Sequence, residues 1–206
     1  MAGIGLYGVY YSKATLSSGV VQSYTGVQQM GKAIAASYEP ASAGNDNNLW
    51  ANNAIAEVDA TAAAGGTLSV TVDKVSADAA ADLFGLTKGT KTVTVGGTSV
   101  TGTGFSYAGT EVANPCGVAF IRWNQESNVR TYYEVVIFAH CTFQPPSEAY
   151  ATYNGDNGVE WQTPELSATV AAGPSVGTYP WREKYVFGTE AAAIQYITDR
   201  FAAPSP

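Results

Sequence analysis

The segments Cys116-Gly-Val-Ala-Phe-Ile-Arg-Trp123 and Arg130-Thr-Tyr-Tyr-Glu-Val-Val-Ile-Phe-Ala-His-Cys-Thr-Phe143 predict the central hairpin of the fold, with its turn at 124–128. In the second strand, Val136 and Phe138 lie on one face, whereas Val135 and Ile137 lie on the other. A strand that is apolar on both faces is buried on both faces, either in the centre of a sandwich or beneath another subunit. The candidate subunit-interface residues are therefore Tyr132, Val136 and Phe138.

The two cysteines of the chain, Cys116 and Cys141, flank this hairpin. With a turn at 124–128, Cys116 lies opposite residues 136–137, several positions away from Cys141. A disulfide needs Cα atoms within about 7 Å of each other. We therefore expect two free thiols.

A second hairpin is predicted from strands at 54–62 and 67–73, with Gly65-Gly66 at the turn. Alternation places Leu68, Val70 and Val72 on an apolar face with three small apolar residues of the first strand. The other face is small, hydroxylated and acidic, and it contains no Lys or Arg. Its members are Glu57, Asp59, Thr61, Thr67, Ser69, Thr71 and Asp73.

Two helices are predicted from their end signals. Ser76 is a good N-cap and Gly85 a good stop for a short helix that follows the hairpin. Thr189 begins a C-terminal helix over 189–201, with Ile194, Ile197 and Phe201 along one side. Further strands are expected at 5–13, within 20–38, at 148–153 and at 159–171, and residues 86–114 are interpreted as loop with short strands.

The segment 39–53 contains Pro, Gly and several Asn, so it is predicted to be a long loop without regular structure. Loops of this length in a compact domain are usually functional or disordered. Its candidate functional residues are Glu39, Pro40, Asn45, Asp46, Asn47, Asn48 and Trp50.

The composition fits a single domain over 1–206 with a surface that is poor in charge. Charged residues make up 13% of the chain, about half of the usual ~25%, which is expected if neighbouring subunits cover much of the surface. An ordinary secreted β-protein rich in Ser, Thr and Gly fits equally well. The net charge of −7 disfavours DNA binding by charge neutralisation. No secretory signal or membrane span is predicted.

The residues give no catalytic, cofactor-binding or metal site. The only histidine, His140, lies in the middle of an apolar strand, and no G-x-S-x-G motif is present. Adjacent strand residues point to opposite faces, so His140 and Cys141 cannot share a zinc ion with Cys116. The segment 154–158 is a tight turn rather than a calcium loop, because it lacks the spacing of an EF-hand. We expect a protein that is not an enzyme and needs no cofactor.

The chain has 13 Tyr and four Trp. Tyr10, Tyr11, Tyr132, Tyr133 and Trp161 are interpreted as residues that pack the sheets or an interface. Aromatic residues that are exposed on a concave face would instead stack on sugar rings. A carbohydrate-binding β-sandwich therefore remains an alternative.

Several stretches, in order, resemble the major tail tube protein family of long-tailed, non-contractile bacteriophages (siphophages). The likeness covers residues from about 49 to 201. It lies in Leu49-Trp-Ala-Asn-Asn-Ala-Ile-Ala-Glu57-Val-Asp59, Gly65-Gly-Thr-Leu68, Ala79-Ala-Ala-Asp-Leu-Phe-Gly85, Val118-Ala-Phe-Ile-Arg122, Phe143-Gln-Pro-Pro-Ser147-Glu148, Glu160-Trp161-Gln162-Thr163-Pro164 and Glu190-Ala-Ala-Ala-Ile194.

The resemblance implies a mainly β fold, a sandwich that contributes strands to a barrel, related to type VI secretion tube proteins. Subunits would form hexameric rings that stack into a hollow tail tube in the virion, assembled in the cytoplasm of the host bacterium. The partners implied are other copies of the chain, a tape-measure protein, and tail-tip and terminator proteins. DNA would pass through the lumen without specific binding. A type VI secretion tube or a contractile-tail tube protein is the nearest alternative.

Within this family interpretation, the acidic hydroxylated face is the candidate lumen lining, because negative charge without Lys or Arg keeps DNA from adhering. The segment 39–53 is the candidate inter-ring loop, ordered when rings stack.

Overall fold

The computed structural model describes the backbone of residues 2–41, 47–51, 54–59, 65–126, 130–146 and 163–202. The fold is mainly β, as predicted, with antiparallel sheets and two helices in this part of the chain. The strands are β1 (Ala2–Ser17), β2 (Val20–Tyr24), β3 (Gln28–Gly31), β4 (Ala33–Pro40), β5 (Asn47–Ala51), β6 (Ala54–Asp59), β7 (Gly66–Val72), β8 (Thr87–Val95), β9 (Thr98–Ser106), β10 (Pro115–Glu126), β11 (Arg130–Phe143), β12 (Glu165–Val170) and β13 (Arg182–Phe187). The helices are α1 (Ala77–Phe84) and α2 (Glu190–Ala202), and Gly173–Val176 forms a short 3₁₀ turn.

Nine of these strands form one sheet with the order β2-β1-β10-β11-β12-β7-β4. Two strands lie off this path, since β3 pairs with β1 and β13 pairs with β11. Only Lys32 separates β3 from β4, so one continuous segment joins the β1 side of the sheet to the β7 side. Because β1 and β4 also contact each other, the sheet curls back on itself around its interior.

The central hairpin is confirmed, and its second strand is buried on both faces by this chain itself. Val136 and Phe138 face the interior of the curled sheet, where α1, β7 and β12 also contribute side chains. Val135 and Ile137 face outward and are covered by Ala193, Ile197 and Phe201 of α2. Val136 and Phe138 are 1% and 0% exposed, so the prediction that they lie in a subunit interface is wrong. Their apolar partners are intramolecular.

A β-bulge changes the register near the end of this hairpin. Val118 pairs with Phe138, whereas Cys116 pairs with Cys141, so Ala139 and His140 together oppose Gly117. The extra residue turns Cys141 and Phe143 toward the interior cluster. The thiols are free, as predicted, but the reason given for this was wrong because the two cysteines lie directly opposite each other.

Both helices begin where their capping residues predict. The Ser76 hydroxyl accepts a hydrogen bond from the Ala79 N–H, and Gly85 ends α1 with a left-handed φ of 68°. The Thr189 hydroxyl accepts a hydrogen bond from the Ala192 N–H at the start of α2. The interactions that cap these helices involve residues close together in sequence, so the sequence alone is enough to locate the helix ends.

The predicted hairpin of 54–62 with 67–73 is wrong. The β6 strand pairs with β5, which lies only two residues away along the chain, whereas β7 pairs with β12 and β4. Gly65 and Gly66 form no hairpin turn; they lie where strands approach too closely for a side chain. An added Cβ at Gly65 would fall on the Val170 carbonyl oxygen, and one at Gly66 on the Glu39 carbonyl oxygen.

The predicted irregular loop at 39–53 is also wrong at both of its ends. Glu39 and Pro40 belong to β4, while Asn47, Asn48 and Trp50 belong to β5. Asn45 and Asp46 lie outside the described residues, as does the predicted strand at 148–153. The predicted strand at 5–13 lies within β1, and 165–170 of the predicted strand at 159–171 forms β12. The predicted apolar stretch at 20–38 is divided among β2, β3 and β4.

Candidate functional site: a hydroxylated sheet face

A flat polar face covers the outside of three neighbouring strands, β4, β7 and β12. Antiparallel register aligns their outward side chains in three rungs. The rungs are Ala35–Thr71–Glu165, Ser37–Ser69–Ser167 and Glu39–Thr67–Thr169. We call these residues the hydroxyl face.

The hydroxyl face arises from alternation along β7 and β12, and along β4 beyond its register shift between Ala33 and Ala35. In β7, Leu68, Val70 and Val72 are buried beneath it, while Thr67, Ser69 and Thr71 remain partly or fully exposed. The β12 strand repeats the pattern, with Leu166, Ala168 and Val170 buried and the intervening polar residues outside.

The charges of the hydroxyl face come from carboxylates alone. Glu39 and Glu165 are exposed and occupy opposite corners, roughly 16 Å apart from the ordinary spacing of strands and residues. No Lys or Arg belongs to its rungs. The face therefore repels phosphate groups weakly and presents hydroxyls for hydrogen bonding to water.

Asp73 is predicted to lie on the same face, but its side chain instead stabilises the backbone nearby. Its carboxylate accepts hydrogen bonds from the Lys32 N–H and the Lys74 N–H, both at 2.8 Å. The hydrogen bond from Lys32 is the main reason that the pKa of Asp73 lies below its ordinary value. This carboxylate fixes the junction between β3 and β4.

The remaining predicted lumen residues do not join the face. Glu57 and Asp59 lie in β6, in a separate two-stranded sheet with β5, and Thr61 lies outside the described residues. Sequence reasoning missed six residues that do join it: Ala35, Ser37, Glu39 as a face residue, Glu165, Ser167 and Thr169. The polar–apolar alternation of 165–170 is the signal that could have identified the last three.

A cluster of charges lies on β10, β11 and β13, near the predicted interface residue Tyr132. The Glu134 carboxylate lies 3.1 Å from Arg122 Nη1 and 2.8 Å from Lys184 Nζ, and it accepts a hydrogen bond from Asn124 at 3.3 Å. Burial alone would raise the pKa of Glu134. The bonds from Lys184 and Asn124, with the positive charges of Lys184 and Arg122, outweigh it and lower the pKa.

A buried ion pair attaches α2 to β13. Arg200 Nε donates to Glu183 Oε1 at 2.5 Å, and Tyr196 donates its hydroxyl hydrogen to Glu183 Oε2 at 2.7 Å. The Arg200 guanidinium also stacks over the Tyr179 ring at 4.2 Å. Both charged side chains are about nine-tenths buried, so the pair fixes the helix on the sheet.

The exposed aromatic residues lie away from the hydroxyl face. Tyr7 contacts Tyr133 edge to face, and Tyr185 contacts Tyr196 of α2 in the same way. Trp123, which is opposite Tyr133 in register, is also exposed. Of the residues predicted to pack the sheets, Tyr11 is buried, and Trp161 lies outside the described residues.

Within the described ranges, no group of three or more His, Cys, Asp or Glu side chains is arranged to hold a metal ion. Burial raises the pKa of both cysteine thiols, which disfavours the reactive thiolate. Of the helices described, neither is long and apolar enough to cross a membrane.

No protein-family model matches the sequence of the chain, and no curated protein matches it.

Proposed function

We propose that this chain is a virion structural protein that self-assembles into hexameric rings, which stack as the tail tube of a long-tailed phage. Its partners are copies of itself, a tape-measure protein, and tail-tip and terminator proteins. DNA passes through the tube during ejection without specific binding. The chain carries out no catalysis and needs no cofactor.

The observation that carries this proposal is the hydroxyl face. A conduit for DNA has to be hydrated and must not adhere to phosphate. The rungs of Ser and Thr provide hydration, and Glu39 and Glu165 provide a weak negative potential without any Lys or Arg. The hydroxyl face is therefore our candidate lumen lining, with Thr67, Ser69 and Thr71 at its centre. It replaces the lining predicted from 54–62 with 67–73.

Unpaired strand edges support self-assembly. Within the described chain, β13 pairs only with β11, and the β5–β6 and β8–β9 sheets have two strands each. Exposed edges are templates for pairing with another chain, and a closed ring removes them. The low charge of the chain, 13% of residues, agrees with a surface that is largely covered in the assembly.

Electron microscopy of the purified protein over a range of concentrations tests assembly. We expect rings about one subunit thick at low concentration and hollow tubes when the protein is concentrated. Particles that stay monomeric at every concentration, even with preformed tube fragments added as seeds, would contradict the proposal.

DNA binding by assembled tubes tests the role of the hydroxyl face. The double variant Glu39→Lys/Glu165→Lys should retain linear DNA at low salt and release it as salt increases, because added lysines neutralise phosphates. Wild-type tubes should not retain DNA. Asp199→Lys is the matched control, since Asp199 is exposed on α2, away from the face. Equal DNA retention by the control and the double variant would contradict the lumen assignment.

A further inference from the structure

The hairpin of β8 and β9 is exposed along its whole length in the part of the chain that the structure describes. We call residues 87–106 the arm. Every residue of both strands is exposed, and the strands pair only with each other within the described chain. The two-residue turn Gly96-Gly97 has φ values of 58° and 83°, which suit a tight hairpin. A two-stranded hairpin alone in water is marginal, so its surface points to a partner.

The register of the arm separates its side chains into two different faces. One face carries Val93, Val95 and Val100 near the tip, which are 58%, 66% and 52% exposed. The opposite face is a ladder of hydroxyls, where the Thr92 and Thr101 hydroxyls lie 2.9 Å apart. Its other members are Thr90, Thr94, Ser99 and Thr103. The arm is therefore amphipathic, and its apolar face is uncovered.

The arm differs in charge from the rest of the chain. It contains Lys88 and Lys91 and no acidic residue, while all 17 acidic residues and the other eight basic residues lie outside it. Lys88 binds Asp78 of α1 at 2.5 Å and attaches the base of the arm to its own subunit. Lys91 lies beside the valines and makes no ion pair within the described ranges.

The valines lie near the tip of the arm, far from the elements of the described chain that the arm contacts at its base. Nine-residue strands extend about 30 Å. The arm contacts α1, and its ion pair from Lys88 to Asp78 lies close to the base. The uncovered face combines apolar groups with a positive charge. Its best complement is a surface with apolar groups and carboxylates, and the acidic remainder of an identical chain provides such a surface.

We propose that the apolar face of the arm docks on a second copy of this chain, burying Val93, Val95 and Val100 and placing Lys91 beside a carboxylate of that copy. This inference rests on the self-assembly proposed above and assigns one of its contacts to the arm. In this arrangement the apolar face of the arm is buried by the second copy, whereas the opposite face, with its ladder of hydroxyls, remains exposed to solvent.

Site-specific photo-crosslinking tests the proposed contact. The photoreactive residue p-benzoylphenylalanine replaces Val95 in one preparation and Thr94, on the ladder face, in the control. Each is made from a mixture of nitrogen-15-labelled and unlabelled chains, so that crosslinks between copies give mixed-isotope peptide pairs. We expect mixed pairs from position 95 and few from position 94.

Variants of the arm measure the strength of the contact by sedimentation velocity. Val93→Thr/Val95→Thr/Val100→Thr keeps the shape and strand propensity but should weaken self-association about 100-fold. Lys91→Glu should weaken it about tenfold at low salt and less at high salt. The ladder-face control Thr90→Ser/Thr103→Ser should leave it unchanged. Near-UV circular dichroism should be the same for all variants, because the changed residues are exposed.

The outcomes separate this inference from the proposed function. Rings or tubes without mixed pairs from position 95, or with full assembly by the triple valine variant, would overturn the arm contact and leave the tube function standing. Mixed pairs and weakened association in particles that never form rings or tubes would support the arm contact and overturn the tube function. Monomers without mixed pairs would overturn both.

Discussion

The apolar residues of the β11 strand and those of the arm have opposite environments. In β11, apolar residues occupy both faces, and the chain covers both, with the sheet interior on one side and α2 on the other. In the arm, valines occupy one face, and no part of the described chain covers them. Alternation thus defines the faces of a strand, but only tertiary structure decides which faces the same chain buries. We propose that such an exposed apolar face marks the surface that a further chain binds.

The largest expected difference between the two regions is in apolar packing. Phe138→Ala removes a fully buried ring that packs against Tyr38 and Phe120, with centroids at 4.8 Å and 6.2 Å. The free energy of unfolding should fall by about 4 kcal/mol. The matched arm variant Val95→Ala should change it by less than about 0.5 kcal/mol in the monomer. Urea unfolding of dilute protein measures both, and equal losses would contradict the contrast.

A buried ion pair should likewise contribute more to the free energy of unfolding than the exposed ion pair at the base of the arm. Arg200→Met leaves the buried Glu183 carboxylate without its cation and should cost about 3 kcal/mol. Lys88→Met breaks the exposed pair with Asp78 at the base of the arm and should cost less than about 1 kcal/mol. Adding Glu183→Gln to Arg200→Met should recover part of the loss. Thermal unfolding of the wild type, the two single variants and the double variant measures these losses of stability. A larger loss for Lys88→Met than for Arg200→Met would contradict the expected order.

Two glycines, one at the end of α1 and one at the tip of the arm, give a smaller test. Gly85 and Gly97 both have left-handed φ values, 68° and 83°. An added Cβ at Gly85 would also fall on the Val112 carbonyl oxygen, whereas at Gly97 no atom lies within 4 Å. Gly85→Ala should therefore cost about 2 kcal/mol or more, and Gly97→Ala about 1 kcal/mol, from backbone strain alone. Equal denaturant midpoints for the two variants would show that the structure around Gly85 accommodates the added Cβ without a cost in stability.

The smallest expected effect is a pH dependence from Glu134. Its pKa in the folded state lies below that of the unfolded chain, about 4.3. The stabilisation is therefore present above that value and is lost as the pH falls through the folded-state pKa. The stability difference between wild type and Glu134→Gln should be constant near neutral pH and narrow below about pH 5. Urea unfolding at a series of pH values from 7 to 3 measures this stability difference. A difference that widens as the pH falls would contradict the expected dependence on Glu134.

The parts of the fold that depend on local signals could be predicted from sequence. Ser76, Gly85 and Thr189 locate helix ends because each makes its hydrogen bond or left-handed turn within a few residues. The double burial of β11 could be predicted because its apolar residues fill both faces. Which chain supplies the cover could not be predicted, and Val136 and Phe138 were assigned to an interface for that reason.

The pairing of strands that are far apart along the chain could not be predicted from the sequence. The β7 strand joins β4 and β12, which are far apart along the chain, so the hydroxyl face combines three segments that no local pattern connects. The bulge at Ala139 and His140 shifts the register by one residue, which turn position alone does not predict. The interpretation of residues 86–114 as loop with short strands underestimates the two nine-residue strands of the arm, because Gly and Thr are frequent in them.

Size-selective cysteine labelling of assembled tubes tests the central claim, that the hydroxyl face lines a lumen. Ser69→Cys lies at the centre of the face and Gln195→Cys on the exposed side of α2, while the native thiols are buried and unreactive. In tubes, Ser69→Cys should react with a small maleimide but not with a maleimide on a polymer as large as a subunit. Gln195→Cys should react with the small reagent, and both positions should accept both reagents in the monomer. Full reaction of Ser69→Cys with the large reagent in intact tubes would contradict the account.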